Sequence, residues 1–291
     1  MKRVGIVSKQ DLKESLKLIE EVLPLLKARG LEVLIDRDIA NASADPDVRR
    51  SASSIHDLKS SDMIIVFGGD GTILQAVRKL KPPLRILGVD MGYMGFLCEA
   101  EPEELREILD KILREEYHLQ RVSLLSVRVN GLERDVALND VLVLTSEPAK
   151  VLEFTVKADG IEVFSGRADG VLVSSTVGST AYALSAGGPL IDPLVECLVT
   201  VVLNPLKLGV RPVVLPPSSR VEVSFLKQSS RAASIYSDGA LTCHVGVGDV
   251  VEICKSSHQV ELVRVKDFRR AFYKKFYEVR IRGGKERPRK G

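Results

Sequence analysis

The sequence predicts an α/β N-terminal domain built on a doubly wound parallel sheet, a β-rich C-terminal domain, and a C-terminal helix that packs back on the body. Three observations carry that expectation. Up to about residue 116, short apolar runs alternate with helix-periodic segments, the pattern of a parallel sheet with helices on its faces. From residue 120 the helical periodicity stops, and short alternating or β-branched runs separated by turn residues take over. Beyond Asp267, Phe268, Ala271, Phe272, Lys275, Phe276 and Val279 return to helical spacing. The domains expected are residues 1–110, joined by the terminal helix over 266–284, then residues 111–265, with 285–291 as a basic tail.

Residues 4–7 read as a first strand. A long amphipathic helix over 11–29 follows, with Leu12, Leu16, Ile19, Leu23 and Leu26 on one stripe and Gly30 as its stop. Pro24 predicts a kink near Leu23, because proline lacks the N–H that the helix needs there. Residues 31–35 form a second strand, and the polar stretch 37–60 is expected to be a loop with one short helix. Residues 61–67 end in an apolar run with the length of a buried strand, and 73–80 resume helical spacing. Residues 84–89 give another strand, and 101–116 a connecting helix. In the second half, strands are expected over 123–129, 134–144, 151–157, 161–164, 170–175, 211–215, 220–226, 250–253 and 259–265.

A chain of 291 residues exceeds the usual single-domain size, and 45% hydrophobic with 28% charged residues is ordinary for a soluble protein with a full core. No apolar run approaches the ~20 residues that span a bilayer, and the start enters a strand directly rather than a signal peptide. A cytoplasmic protein with no membrane partner is expected. Cys98, Cys197, Cys243 and Cys254 lie far apart and read as small core residues; Cys243 and His244, adjacent on a strand, point to opposite faces and make no zinc site. The net charge of +3 hides an asymmetry, since residues 266–291 hold eleven Lys/Arg against three acids. That excess reads as a solvated end, and no nucleic-acid partner is expected.

The chemistry centres on Phe67-Gly68-Gly69-Asp70-Gly71-Thr72, a strand, a glycine turn and a helix start. Glycines let a ligand approach the backbone, and free N–H groups at a helix N-terminus favour phosphate. A carboxylate inside such a loop repels phosphate unless it takes a proton from an attacking hydroxyl or meets a magnesium ion. A carboxylate that only caps the helix is the alternative. Residues 88–97 are a second glycine-bearing strand end. In the β-rich half, Asn139-Asp140 places an amide beside a carboxylate inside an apolar strand, where ligand hydroxyls or backbone groups must satisfy at least one of them. After Asp169-Gly170 and an apolar strand, residues 174–189 are dense in small hydroxyl and glycine residues, suited to wrapping a sugar or phosphate. Ser237-Asp238-Gly239-Ala240 reads as a hairpin tip.

Taken in this order, these stretches resemble the NAD kinase family. Its Gly-Gly-Asp-Gly-Thr motif matches Gly68 to Thr72, its glycine-rich strand end matches Gly88 to Leu97, and its Asn-Glu/Asp pair matches Asn139-Asp140. Its longest signature matches Asp169-Gly170 and Val173 to Pro189 and makes the resemblance specific, because diacylglycerol and sphingosine kinases also carry Gly-Gly-Asp-Gly-Thr. The resemblance implies an NAD kinase that makes NADP by phosphorylating the 2′-hydroxyl of the adenosine ribose, with ATP or inorganic polyphosphate as donor and a divalent metal, magnesium. It implies that Asp70 is catalytic and that Gly68, Gly69, Gly71 and Thr72 cradle the donor without the lysine of a P-loop. It implies that Asn139 and Asp140 hold the dinucleotide, and that Asp169, Thr180, Ala181, Tyr182 and Ser185 line the acceptor pocket. It also implies a homodimer or homotetramer in which a neighbouring subunit closes the NAD site. Val177, Thr176, Asp90 and the Asn204-Pro205-Leu206-Lys207 stretch depart from the family pattern. Two alternatives of other classes are a lipid kinase using the same Asp70 motif and a nucleotide-binding regulator without chemistry.

Overall fold

The computed structural model describes residues 1–9, 13–92, 95–147, 149–226 and 232–278. The chain forms two compact units, one from Met1–Val122 with the chain from Gln259 onward, the other from Ser123–His258. The boundary expected after residue 110 falls inside a helix that stays whole in the first unit.

The first unit contains β1 (Arg3–Ser8), α1 (Lys13–Ala28), β2 (Glu32–Asp36), α2 (Arg37–Ala42), α3 (Pro46–Arg50), β3 (Ala52–Ser53), α4 (Ile55–Leu58), β4 (Met63–Gly68), α5 (Asp70–Leu80), β5 (Leu84–Asp90) and α6 (Leu105–Leu113). Its strands are parallel, in the order β3-β2-β1-β4-β5. From β1 the chain winds outward one way through β2 and β3, and from β4 the other way to β5. The order therefore reverses between β1 and β4, the point where such sheets bind ligands beyond their carboxyl ends. β4 is buried along its whole length, as a strand covered on both faces should be.

Helix α1 runs through Pro24 without ending. Ile19, Val22, Leu23 and Leu26 are buried against the sheet, and that packing outweighs the hydrogen bond lost at the proline. Asp11 and Leu12 lie outside the described residues. The stretch 37–60 holds three short helices and a strand rather than one helix in a loop. Asp36, Asp45 and Ser54 cap the three helices by accepting from backbone N–H groups, which explains how such short elements persist.

The second unit contains β6 (His118–Val129), β7 (Leu132–Ala137), β8 (Asp140–Thr145), β9 (Leu152–Ala158), β10 (Ile161–Ala168), β11 (Gly170–Ser175), α7 (Tyr182–Ser185), β12 (Leu198–Leu203), β13 (Val213–Leu215), β14 (Arg220–Phe225), β15 (Ala233–Ser237), β16 (Ala240–Val245) and β17 (Val250–Arg264), the unit boundaries falling inside β6 and β17. One antiparallel sheet has the order β13-β12-β11-β8-β15-β16; a second path pairs β10, β9, β14 and the first half of β17. Val141, Val143, Val171 and Val173 from the first share a core cluster with Phe154, Val156, Val221, Val223 and Val251 from the second. The run 134–144, expected as one strand, is two, broken at Leu138-Asn139. β12 was not anticipated from the sequence, although it sits inside its sheet, and β15 and β16 were anticipated only through the hairpin tip at 237–240 and the strand holding Cys243 and His244.

The last half of β17 pairs in parallel with β5 in the first unit, and α8 (Phe268–Phe276) follows. The terminal helix is thus shorter than 266–284 within the described residues, and 279–284 lie outside them, as does the basic tail. Among the described residues, no helix is long and apolar enough to cross a membrane.

Candidate active site

Asp70 stands at the carboxyl end of β4, at the reversal of strand order, as the first residue of α5. Gly69 caps that helix with no side-chain hydrogen bond, so Asp70 does not act as a cap. In the first turn, the N–H groups of Asp70 and Gly71 have no intrahelical acceptor, and the helix dipole points its positive end at the same place. Gly68 is required by close packing, since a Cβ there would collide with the Thr72 side chain.

The Asp70 carboxylate turns instead to a segment 26 residues onward. Phe96 N–H donates to its Oδ2 at 2.8 Å and Leu97 N–H to its Oδ1 at 2.9 Å. Gly95 makes this approach possible, because a Cβ there would run into Asp70 Oδ1. Asp90, where the family commonly has asparagine, uses both oxygens: Gly92 N–H donates to one at 3.2 Å and Gly95 N–H to the other at 2.7 Å. The carbonyls of the same segment face cations. Lys275 Nζ from α8 donates to Gly95 O at 2.7 Å and Cys98 O at 2.9 Å, and Arg264 Nη1 donates to Leu97 O at 3.1 Å. Buried Arg264 pairs with buried Glu99 at 3.4 Å. Burial pushes the Asp70 carboxyl above the ordinary carboxylate range, while the Leu97 and Phe96 N–H groups and Lys275 pull it back. A fixed, half-buried carboxylate with raised basicity can accept a proton.

In the second unit, Asn139 lies in the bend before β8 and Asp140 opens that strand; both are buried. The Asn139 main chain is occupied, its N–H donating to Asp238 at 2.7 Å and its carbonyl accepting from Ser175 N–H at 2.9 Å. Its side-chain Oδ1 is buried with no partner among the described residues, an acceptor that a ligand hydroxyl would satisfy. Asp238, at the β15–β16 hairpin tip, accepts from the N–H groups of Leu138, Asn139 and Asp140. Burial first, and the Asp238 charge second, push the Asp140 carboxyl up to about 7.

Ser174 pairs with Asp140 in register, so the loop after β11 emerges beside Asn139-Asp140. Ser175 Oγ donates to Leu138 O at 2.6 Å and accepts from Gly178 N–H at 3.3 Å, and Gly178 fits because a Cβ would strike Asn139 O. Thr180 is buried, Ala181 half-buried, and Tyr182 and Ser185 exposed on the single turn of α7. Thr176, replacing the family's proline, holds the loop by donating to Val195 O at 2.8 Å and accepting from Cys197 N–H at 3.1 Å. Asp169 is not with this group. It precedes Gly170, which pairs with Leu144 at the far end of β8, so a full strand of roughly 17 Å separates it from Asp140. There Asn204 Nδ2 donates to it at 2.7 Å.

The structure thus gathers Gly68, Gly69, Asp70, Gly71 and Thr72 in one unit, and Asn139, Asp140, Thr180, Ala181, Tyr182 and Ser185 in the other. Arg264 and Glu99 were not singled out from the sequence, Asp238 was read only as part of a hairpin tip, and Lys275 only as a position on the terminal helix. The one available signal was Lys275, a cation on the apolar stripe of a terminal helix. No cluster of three or more His, Cys, Asp or Glu in metal-binding geometry occurs among the described residues.

Comparison with known proteins gives a consistent result. A family model for the ATP-NAD kinase N-terminal domain matches residues 4–117, and one for the ATP-NAD kinase C-terminal domain matches residues 138–265. The NAD kinase of Methanothermobacter thermautotrophicus is 36% identical over 285 residues, 98% of each chain. That of Thermococcus gammatolerans is 38% identical, over 90% of this chain and 94% of its own. Among solved structures, an Archaeoglobus fulgidus NAD kinase in complex with ATP superposes with a TM-score of 0.75 at 28% identity, covering 94% of this chain and 98% of that one. Yeast NADH kinase complexed with NADH shares the fold, with a TM-score of 0.87 at 21% identity over 97% and 88% of the two chains.

Proposed function

The chain belongs to the NAD kinase family, and we propose that it transfers a phosphoryl group from ATP, or from inorganic polyphosphate, to the 2′-hydroxyl of the adenosine ribose of NAD, giving NADP. The observation that carries the reading is the Asp70 carboxylate, fixed by two N–H groups at the head of α5 and raised in basicity by burial. A ribose hydroxyl is a poor nucleophile at neutral pH; Asp70 accepts its proton as the oxygen attacks the terminal phosphorus of the donor. The turn from Gly68 to Thr72 cradles the donor, with the free N–H groups of Asp70 and Gly71 holding phosphate oxygens in place of a P-loop lysine. Asn139 and Asp140 bind the dinucleotide, with the unpaired Asn139 Oδ1 taking a ribose hydroxyl, and Thr180, Ala181, Tyr182 and Ser185 line its pocket.

A magnesium ion fits a site of this composition. It would be carried mainly by donor phosphate oxygens and water, as magnesium commonly is at phosphoryl-transfer sites. When bound, it neutralises charge on the transferring phosphoryl group.

Asp169 fits the same reading as part of a homodimer or homotetramer in which it completes the site of a neighbouring copy. Its distance from Asp140 along β11 supports this, as does the adjacent loop, where Leu206 and Leu208 are 60% and 92% exposed. A cytoplasmic location is supported by four free cysteines. The test is ³¹P NMR of the products from NAD, ATP and Mg²⁺. A new 2′-phosphomonoester resonance is expected. Its absence with both ATP and polyphosphate, in protein that binds NAD, would leave a binding regulator.

A further inference from the structure

Lys275 occupies a position where helical periodicity calls for an apolar side chain. Phe272, one turn before it, packs its ring on Phe96 with centroids 5.5 Å apart, so this face of α8 is docked on the segment that wraps Asp70. A lysine in such a place ordinarily carries its ammonium out to water. Here the ammonium turns inward to the carbonyls of Gly95 and Cys98, at 2.7 and 2.9 Å. Those two carbonyls bracket the N–H groups of Phe96 and Leu97, the two donors to Asp70.

We propose that Lys275 is a positioning residue for Asp70: from α8 it clamps the 95–98 segment and so aims the Phe96 and Leu97 N–H groups at the reacting carboxylate. The inference rests on the proposed role of Asp70 as proton acceptor. The charged groups around Asp70 give Lys275 a second effect. Asp90 from β5, the Cys98 thiol, Arg264 from β17 and Lys275 from α8 all act electrostatically on Asp70, and Glu99 faces Arg264. Arg264 is matched by Glu99 at 3.4 Å, whereas Lys275 meets neutral carbonyls, so its charge acts on Asp70 and Asp90. The Lys275 charge therefore opposes the upward pull that burial exerts on the Asp70 carboxyl.

The experiment compares wild type, Lys275→Met and Lys275→Arg in the full chain by steady-state NADP formation across pH. A ¹³C NMR titration of the aspartate carboxyls, with Asp70 assigned from Asp70→Asn, runs alongside. Lys275→Met is expected to lower kcat by about tenfold to a hundredfold with KM for NAD within about twofold, because the acceptor is bound but the base is misaimed. Its Asp70 titration and the acid limb of kcat should both move to higher pH. Lys275→Arg, which keeps the charge and the donors, should recover most of the loss. A wild-type kcat and an unmoved Asp70 titration in Lys275→Met would overturn the inference. So would equal losses in both variants with an unmoved titration, since that pattern marks a purely structural lysine. Wild-type protein that makes no NADP sinks the proposed reaction instead, and the Asp70 titration then still decides the role of Lys275.

Discussion

Asp70 and Gly95 form one device made from residues far apart in the chain. The motif around Asp70 was legible from its glycines, but its hydrogen-bond partners were not, because nothing in a local pattern says that residues 96 and 97 return to it. Gly95→Ala is expected to lower kcat at least tenfold, since the new Cβ displaces the carboxylate, and to cost about 1–3 kcal/mol of stability through overpacking. Thermal unfolding and steady-state kinetics check the two parts. Asp140 gives a pH prediction. Its folded carboxyl, at about 7, lies above the ordinary value of 3.8, so the folded state binds the extra proton between about pH 4 and 7. Stability is then highest below that window and falls as pH rises through it. At pH 8, Asp140→Asn without ligand should be more stable than wild type by about 1–3 kcal/mol, and its midpoint should fall less between pH 5 and 8. On the proposed reading, its KM for NAD should rise. Equal pH slopes in the two proteins would assign the titration to another group.

Helices and strands were legible where periodicity was long, and not where short-range chemistry or tertiary packing decided. Pro24 predicted a kink or break near Leu23, and the helix continues unbroken through it with Ile19, Val22, Leu23 and Leu26 buried. The caps at Asp36, Asp45 and Ser54 were visible in the sequence but attach to helices of four to six residues, too short to show a period. The 134–144 run looked continuous because apolar residues flank both sides of the break that Asp238 holds open. The loop after β11 was identified by composition alone; the structure adds that Ser175 ties it to the Asn139 bend through Leu138 O and Gly178 N–H. Ser175→Ala removes both bonds and leaves Leu138 O unpaired, so KM for NAD should rise about threefold to tenfold with kcat nearly unchanged. A fall in kcat with constant KM would place Ser175 in the chemistry rather than in the pocket.

The chain divides into an α/β unit that carries Asp70 and a β unit that carries Asn139 and Asp140, an order legible in the change of texture near residue 120. Asp169 was grouped with the acceptor residues by sequence; the register of β11 against β8 sets it apart. If it serves a neighbouring copy, then inactive Asp70→Asn and Asp169→Asn chains, mixed one to one and reassembled as dimers, should regain about a quarter of wild-type activity, because half the dimers carry one intact site. No recovery on mixing would return Asp169 to its own copy. For the reaction itself, the decisive measurement is transfer of labelled γ-phosphate from ATP to NAD in the presence of Mg²⁺, for wild type and Asp70→Asn. Labelled NADP from the wild type, reduced at least about a hundredfold in the variant while NAD binding persists, is the predicted result. Equal transfer by both proteins would contradict Asp70 as the proton acceptor.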